Sequence, residues 1–160
     1  MDEASITRYI TETFDGVHPV EAWGDTFFFY NPDRKLPDKI YFATLKHQDD
    51  DYDSASDLNR PSVFRLNIGV GKATYRSLFG SEPPRPGASG AADTGHDVTS
   101  LDQLLPHPVY ARAHWICVLN PSAARFEAVR PLLAEAYDLA VGKYAKQASS
   151  RETLMRRASG

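Results

Sequence analysis

Residues that could perform acid–base, nucleophilic or metal chemistry are scattered through this 160-residue chain. The five histidines form no pair at i, i+3 or i+4, and neither H-E-x-x-H nor C-x-x-C, the spacings typical of zinc sites, is present. The nucleophile motif G-x-S-x-G is also absent. The single Cys117 lies in an apolar strand, where a buried and inert thiol is expected. We therefore predict no catalytic residues, no metal site and no cofactor, and the sequence leans against an enzyme.

Two short segments resemble ligand-binding loops but depart from the patterns that define them. Residues 69–74, GVGKAT, lack the spacing of a Walker A motif, and their lysine is not followed by Ser or Thr. We interpret them as a strand-to-helix corner, where Lys72 and the helix N-terminus would attract an anion. Residues 49–57, DDDYDSASD, begin like a calcium loop, but Ser54 and Arg60 stand where that loop needs Gly and Glu. The second segment therefore predicts a solvated acidic loop.

The candidate ligand-binding residues lie on or beside the predicted strands. His114 and Trp115 are consecutive in one strand, so their side chains face opposite sides of the sheet. With Trp115 in the core, His114 would lie on the other face, near Arg65 or Asn67 if the strands are neighbours. The alternative is a half-exposed histidine with an ordinary hydrogen-bond partner. The full candidate set is Arg65, Asn67, Lys72, His107, Tyr110 and His114.

The elements that must position these residues follow from hydrophobic periodicity. The clearest strand is 63–70, where Phe64, Leu66, Ile68 and Val70 alternate with polar residues and should face the core. The pattern also predicts a helix at 3–14, strand pieces within 19–31 around a Gly24-Asp25 turn, a strand at 40–46, a helix at 72–79, a short helical turn within 97–105, a strand at 110–119 and a long helix at 122–147.

Strands that cluster rather than alternate with helices indicate the α+β class. We predict an antiparallel sheet of four to six strands, with the N-terminal helix and a C-terminal helix packed on one face. Pro131 would kink the latter or divide it in two. Residues 1–147 form a single domain with flexible excursions at 47–62 and 81–96. Residues 148–160 are a disordered tail.

Charge and hydropathy narrow the range of partners. Lys and Arg total 18 against 21 Asp and Glu, a net charge of −3, which argues against a nucleic-acid partner. No apolar run approaches the roughly 20 residues that a membrane span needs. The acidic N-terminus lacks the apolar segment of a secretory signal. We expect a cytoplasmic monomer whose partner is a small molecule or a protein.

Several stretches of the chain together resemble an uncharacterised bacterial family, domain-of-unknown-function family 6194, which implies no activity. They lie at 23–30, 64–70, 75–80, 104–121 and 126–141. More distantly, the chain is similar to MmcQ/YjbR-like proteins, because His114-Trp115 matches their His-Trp strand. Ala136-Tyr137 stands where they have Ser-Tyr, which is a departure. That resemblance implies a double-wing fold and a link to DNA binding.

Three functions remain open at this point. The first is a non-enzymatic binding or regulatory domain that uses a partly exposed sheet face carrying Arg65, Asn67 and His114. The second is a small-molecule-binding protein or enzyme with a pocket near His107 and His114, between the sheet and residues 81–105. The third is a DNA-binding protein of the MmcQ/YjbR type. A flat, open face would favour the first and a closed pocket the second.

Overall fold

Six short segments rich in β-branched, aromatic and aliphatic residues build one antiparallel sheet in the computed structural model, which describes residues 1–34, 37–81 and 95–159. The strands are ordered β1-β2-β3-β4-β6-β5. The predicted α+β class is confirmed. The elements are α1 (Glu3–Thr13), β1 (Val17–Ala22), β2 (Asp25–Tyr30), β3 (Tyr41–Lys46), β4 (Arg65–Gly69), α2 (Lys72–Phe79), β5 (Leu104–Pro106), a 3-10 turn (Ala111–Ala113), β6 (Trp115–Leu119) and α3 (Ala123–Ser159).

One face of the sheet, here called the inner face, packs against the helices. Alternate side chains of β4 face the core as predicted. Leu66 and Ile68 are fully buried there, in a core shared with Phe126 and Leu133 of α3. Phe64 and Val70 belong to the same core, which confirms the predicted apolar quartet. Each such side chain contributes roughly 1.5–3 kcal/mol on burial. The strand residues between them therefore face the other side, the outer face.

The N-terminal elements follow local rules. Asp2 caps α1 by accepting a hydrogen bond from the Ser5 amide at 2.8 Å. The hairpin between β1 and β2 turns at Trp23 and Gly24, whose φ angles of 52° and 80° suit a two-residue hairpin turn with positive φ at both positions. The turn thus falls one residue earlier than predicted, and Asp25 begins β2.

The structure differs from the sequence-based expectation in two other connections. Residues 47–62, expected to be a flexible excursion, pack on the outer face, with Ser56 and Leu58 buried. Residues 97–105 contain no helical turn but a bridge between Leu101 and Leu119, followed by β5. Both segments contact the sheet and are partly shielded from solvent. The local sequence pattern does not predict such contacts, because they form between distant parts of the chain. The excursion expected at 81–96 lies mostly outside the described residues.

The C-terminal helix is longer than expected. Pro131 lies inside α3, which continues as one element of 37 residues rather than dividing in two. The tail expected to be disordered from residue 148 onward is helical through Ser159, and the side chains of residues 151–158 are exposed. Buried positions in α3 end at Ala140. The core therefore holds the first half of the helix, and the second half extends beyond it.

Candidate functional site

The outer face is organised in three rows that cross the strands, as the register shows. The first row is charged apart from Leu119, the second is mixed and the third is aromatic apart from one glycine. In order across the sheet the rows are Asp25, Lys46, Arg65 and Leu119; then Phe27, Thr44, Asn67 and Cys117; then Phe29, Tyr41, Gly69 and Trp115. In the third row, the ring contact between Tyr41 and Trp115 joins the two strand pairs.

Arg65 lies at the centre of a polar cluster and is fully buried. Its guanidinium donates to both carboxylate oxygens of Asp53 and, at 2.8 Å, to the hydroxyl of Ser56. Its Nε donates to the side-chain oxygen of Asn67 at 2.7 Å, and Asn67 in turn donates to Thr44 Oγ1 at 2.9 Å. A buried charge is tolerated when it is paired and hydrogen-bonded in this way. Arg65 therefore fastens the 47–62 segment to the sheet.

His107 joins this cluster from the turn after β5. Its Nδ1 accepts the backbone N–H groups of Val109 at 3.0 Å and Tyr110 at 2.9 Å, so the neutral ring carries its proton on Nε2. That atom lies 3.9 Å from the Asp53 carboxylate and 3.3 Å from an Arg65 nitrogen. Burial, with the charges of Arg65 and Lys46, holds the pKa of His107 well below its usual value. The ring is thus a neutral element that shapes its turn.

His114 lies away from this cluster. The register of β4 and β6 pairs Asn67 with Cys117, and β6 begins only at Trp115. His114 instead ends the 3-10 turn at a φ of 66°, and its ring contacts that of the buried Tyr75 of α2 at 5.7 Å. The expected position of His114 beside Arg65 or Asn67 is therefore wrong, because the chain leaves extended geometry before the strand.

Lys72 begins α2, where the sequence suggested an anion. The carboxylate of Glu135 from α3 fills this helix N-terminus by accepting the Gly71 N–H at 2.9 Å and the hydroxyl of Thr74. An acidic side chain at this end of a helix interacts favourably with its dipole. The predicted anion position is thus occupied by the protein itself.

Tyr110 lies at the edge of the polar cluster. Its ring is 5.0 Å from that of His107, and 54% of the residue is exposed. The structure therefore brings Arg65, Asn67, His107 and Tyr110 together and leaves Lys72 and His114 with α2.

A second feature of the outer face is an aromatic surface that the sequence analysis did not identify as a site. It consists of Trp23, Phe27, Phe29, Tyr41 and Trp115, whose neighbouring ring centroids are 5.1–6.1 Å apart. Trp23 is 85% exposed and Tyr41 40%. The unbroken run Phe27-Phe28-Phe29 was the signal, since alternation must turn two of its rings away from the core.

Trp115, expected in the core, lies on this surface and is half-buried. Its indole covers Gly69, where an added Cβ would stand 2.9 Å from two ring atoms. The absence of a side chain at Gly69 lets the ring reach Tyr41 across the width of β4.

Two further side chains that could take part in chemistry, Lys46 and Cys117, lie within the fold and make structural contacts. Lys46 Nζ lies 2.5 Å from Asp50 and 3.4 Å from Asp25. Cys117 is buried, and burial raises the pKa of its thiol to about 12. Within the part of the chain that the structure describes, no cluster of His, Cys, Asp and Glu is arranged to hold a metal.

None of the helices in the described ranges has the length and apolar character needed to cross a bilayer.

Comparisons with known proteins place the chain in a family. A crystal structure of a protein from Pseudomonas syringae, a structural genomics target, aligns with a TM-score of 0.48 at 16% identity, covering 88% of this chain and 99% of that one. No curated protein matches the chain. The similarity to MmcQ/YjbR-like proteins stays a prediction. Residues 1–149 match the model of a family of unknown function, DUF6194, and the chain therefore belongs to that family.

Proposed function

We propose that this protein is a non-enzymatic binding domain and that the aromatic surface is its recognition site. The observation that carries the proposal is the exposure of large rings, above all Trp23 at 85% and Tyr41 at 40%, on a sheet face that the helices leave uncovered. Contiguous exposed apolar patches of this kind mark interaction sites in soluble proteins. Aromatic residues are also the side chains most enriched at the centres of interfaces.

The polar cluster supports a structural rather than a catalytic role for the predicted candidates. Arg65 and Asn67 direct their polar atoms at protein groups, and His107 uses Nδ1 to accept two backbone N–H groups. A general base needs a nitrogen or oxygen that can reach a substrate proton. These residues instead hold the 47–62 segment and the 107–111 turn beside the aromatic surface.

The two alternatives from the sequence have less support. A pocket shared by His107 and His114 would need both rings on one side, but His114 packs against Tyr75 of α2. DNA binding would need a row of exposed cations beside the rings, yet the two cations of the neighbouring charged row, Lys46 and Arg65, are buried and paired with carboxylates. The proposal keeps the expected cytoplasmic location.

The position of the tryptophans provides a direct test. Both tryptophans of the chain, Trp23 and Trp115, belong to the aromatic surface, so tryptophan emission reports on that surface alone. We expect the emission to shift to shorter wavelength or to be quenched in at least one of three titrations: increasing protein concentration, nucleosides and aromatic amino acids as planar ligands, or a single-stranded oligonucleotide at low salt. The response should be lost in Tyr41→Ser and retained in Tyr52→Ser, since Tyr52 is 86% exposed but lies outside the surface. Constant emission in all three would overturn the proposal.

A further inference from the structure

We infer that the partner of the aromatic surface is a second copy of this chain. The aromatic surfaces of the two copies face each other, and a two-fold axis relates them. The axis lies in the plane of contact and is perpendicular to the long direction of the surface. The inference rests on the proposed function and specifies the partner. It departs from the monomer expected from composition. Three observations carry it: the shape of the surface, the pairing of nearby cations, and the charges at its two ends.

The shape of the surface favours a protein over a small ligand. The rings form a continuous layer that runs from the turn at Trp23, through Phe27 and Tyr41, to Trp115. Small molecules normally bind in concave sites of roughly 300–1,000 Å³. The hollow that adjoins Tyr41 and Trp115, against Leu139 and Lys143, has a volume of only about 50 Å³. A layer of this form needs a partner that is itself broad and apolar.

The charged row beside the aromatic surface argues against a nucleic-acid partner. Lys46 lies between the carboxylates of Asp25 and Asp50, so these three groups carry one net negative charge. Arg65 is neutralised by Asp53 beneath the 47–62 segment. A phosphate backbone would meet no free cation in this row.

The two ends of the surface carry opposite charge, and this points to self-association. The end near Trp23 and Phe27 has the net negative group around Asp25, which precedes Phe27 by two residues on the same face. At the other end, Lys143 lines the hollow beside Tyr41 and Trp115. Arg34 lies beside the edge strand β1, 3.1 Å from the ring of His18, whose strand partner is Phe29.

The two-fold axis brings these ends together. It lays the acidic end of one copy over the basic end of the other while the rings meet in the middle. Such an isologous contact uses one self-complementary patch on both subunits, which is the commonest form of homo-oligomer. Opposite charges at the ends set the orientation, and the apolar centre contributes most of the affinity.

The test measures molar mass by light scattering after size exclusion across a wide range of protein concentration. We expect the mass to rise from one chain to two as concentration increases, with tryptophan emission moving to shorter wavelength over the same range. Trp23→Ser removes an anchor that is 85% exposed in the monomer, and it should raise the dissociation constant by about tenfold or more. Tyr52→Ser, at 86% exposure outside the surface, is the matched control and should leave the constant unchanged.

A charge variant tests the orientation. Lys143→Glu should weaken the dimer, and added salt should weaken the wild type but not this variant. Lys146→Glu, one turn further along α3, should have little effect. A single-chain mass at every concentration would overturn the inference, as would a dimer that Trp23→Ser leaves intact. Tryptophan emission also responds to bound ligands and oligonucleotides. A protein that stays monomeric but whose emission changes with one of these would overturn the dimer and still support the proposed binding function.

Discussion

At the scale of single residues, Arg65 and His107 organise the outer face. Arg65 is a fully buried cation whose donors are shared among Asp53, Ser56 and Asn67. His107 is a buried neutral ring that accepts two backbone N–H groups. Both connect a loop to the sheet, so their contribution is to stability, and it depends on keeping every polar partner satisfied.

Replacing Arg65 should be among the most damaging changes in the chain. Arg65→Met leaves the Asp53 carboxylate buried without its partner, and we expect the free energy of unfolding to fall by about 3–5 kcal/mol in urea denaturation. The double variant Asp53→Asn with Arg65→Met should recover much of that loss, because no uncompensated charge remains. Arg151→Met, on an exposed part of α3, should change the value by less than about 0.5 kcal/mol. If all three variants lost a similar amount of unfolding free energy, the buried pairing of Arg65 with Asp53 would not be the source of the stability.

His107 predicts a pH dependence of stability. Burial and the charges of Arg65 and Lys46 lower its pKa in the folded state, so the unfolded chain binds the proton more readily. The stabilisation is therefore complete above the unfolded pKa of about 6.5 and is lost as the pH falls below it toward the folded pKa, by up to about 1.4 kcal/mol per pH unit. His107→Asn keeps an acceptor for the two N–H groups and should remove this slope. Urea denaturation between neutral and mildly acidic pH measures it, and an unchanged slope in the variant would refute the prediction.

At the scale of elements, contacts between distant segments determine where α2 begins and how β4 and β6 pack together. Glu135 of α3 caps α2, although α2 has no capping side chain of its own. Gly69 of β4 leaves room for the indole of Trp115 from β6. Each element therefore depends on a residue contributed by another.

Removing the cap should loosen α2. We expect Glu135→Ala to lower the free energy of unfolding by about 1–2 kcal/mol, since two donors at the helix N-terminus lose their acceptor. Hydrogen exchange should rise selectively in Lys72–Phe79. Glu127→Ala is the control, because that side chain is 62% exposed and forms a surface ion pair with Arg130 at 2.9 Å. Equal effects of the two substitutions would argue against a capping role.

Two glycines should respond to alanine in opposite directions. Gly69→Ala places a methyl group against the indole of Trp115, and we expect a loss of about 1–3 kcal/mol together with a shift of tryptophan emission. Gly142→Ala, in α3 with nothing within 4 Å of the added carbon, should gain up to about 1 kcal/mol. Thermal and urea unfolding compare them, and stabilisation by Gly69→Ala would show that the indole does not lie over β4.

At the scale of the whole molecule, the sheet has two unlike faces. The inner face is covered by the helices and forms the main core, which includes residues from α1, α2 and α3. The outer face is covered by the 47–62 segment and the 107–111 turn over its polar part, and within the described ranges its aromatic part stays partly exposed. This division places a partly exposed layer of rings on a scaffold that is stabilised from the opposite side.

The same division predicts that the end of α3 contributes little to folding. Buried positions in α3 stop at Ala140, and residues 151–158 are exposed. A chain truncated after residue 149, where the family match also ends, should unfold with a free energy within about 0.5 kcal/mol of the full chain. Circular dichroism should show a loss of helix without a change in the unfolding midpoint. A clear drop in that midpoint would mean that the extension packs on the domain.

Much of the fold was predictable because its signals are local. The strict alternation at 64–70 and the helical stripe that includes Ile6 and Ile10 are periodicities set by backbone geometry, and both were interpreted correctly. The structure of the segments at 47–62 and 97–105 was harder to predict from the sequence. Their polar composition is typical of a solvated loop even when the residues pack on a sheet. Of the two outcomes that Pro131 predicts, a division of α3 does not occur, because the helix continues through the proline as one element.

The candidate site was predictable only as a set of residue types. The sequence by itself determined that the outer positions of β4 are Arg65 and Asn67, and that a run of three phenylalanines must expose some of its rings. Only the tertiary structure decided that Asp53 reaches Arg65, that Glu135 occupies the start of α2 and that Trp115 meets Tyr41. The physical reason is that periodicity follows from bonds between neighbouring residues, whereas these contacts depend on strand register and on packing between segments far apart in the chain.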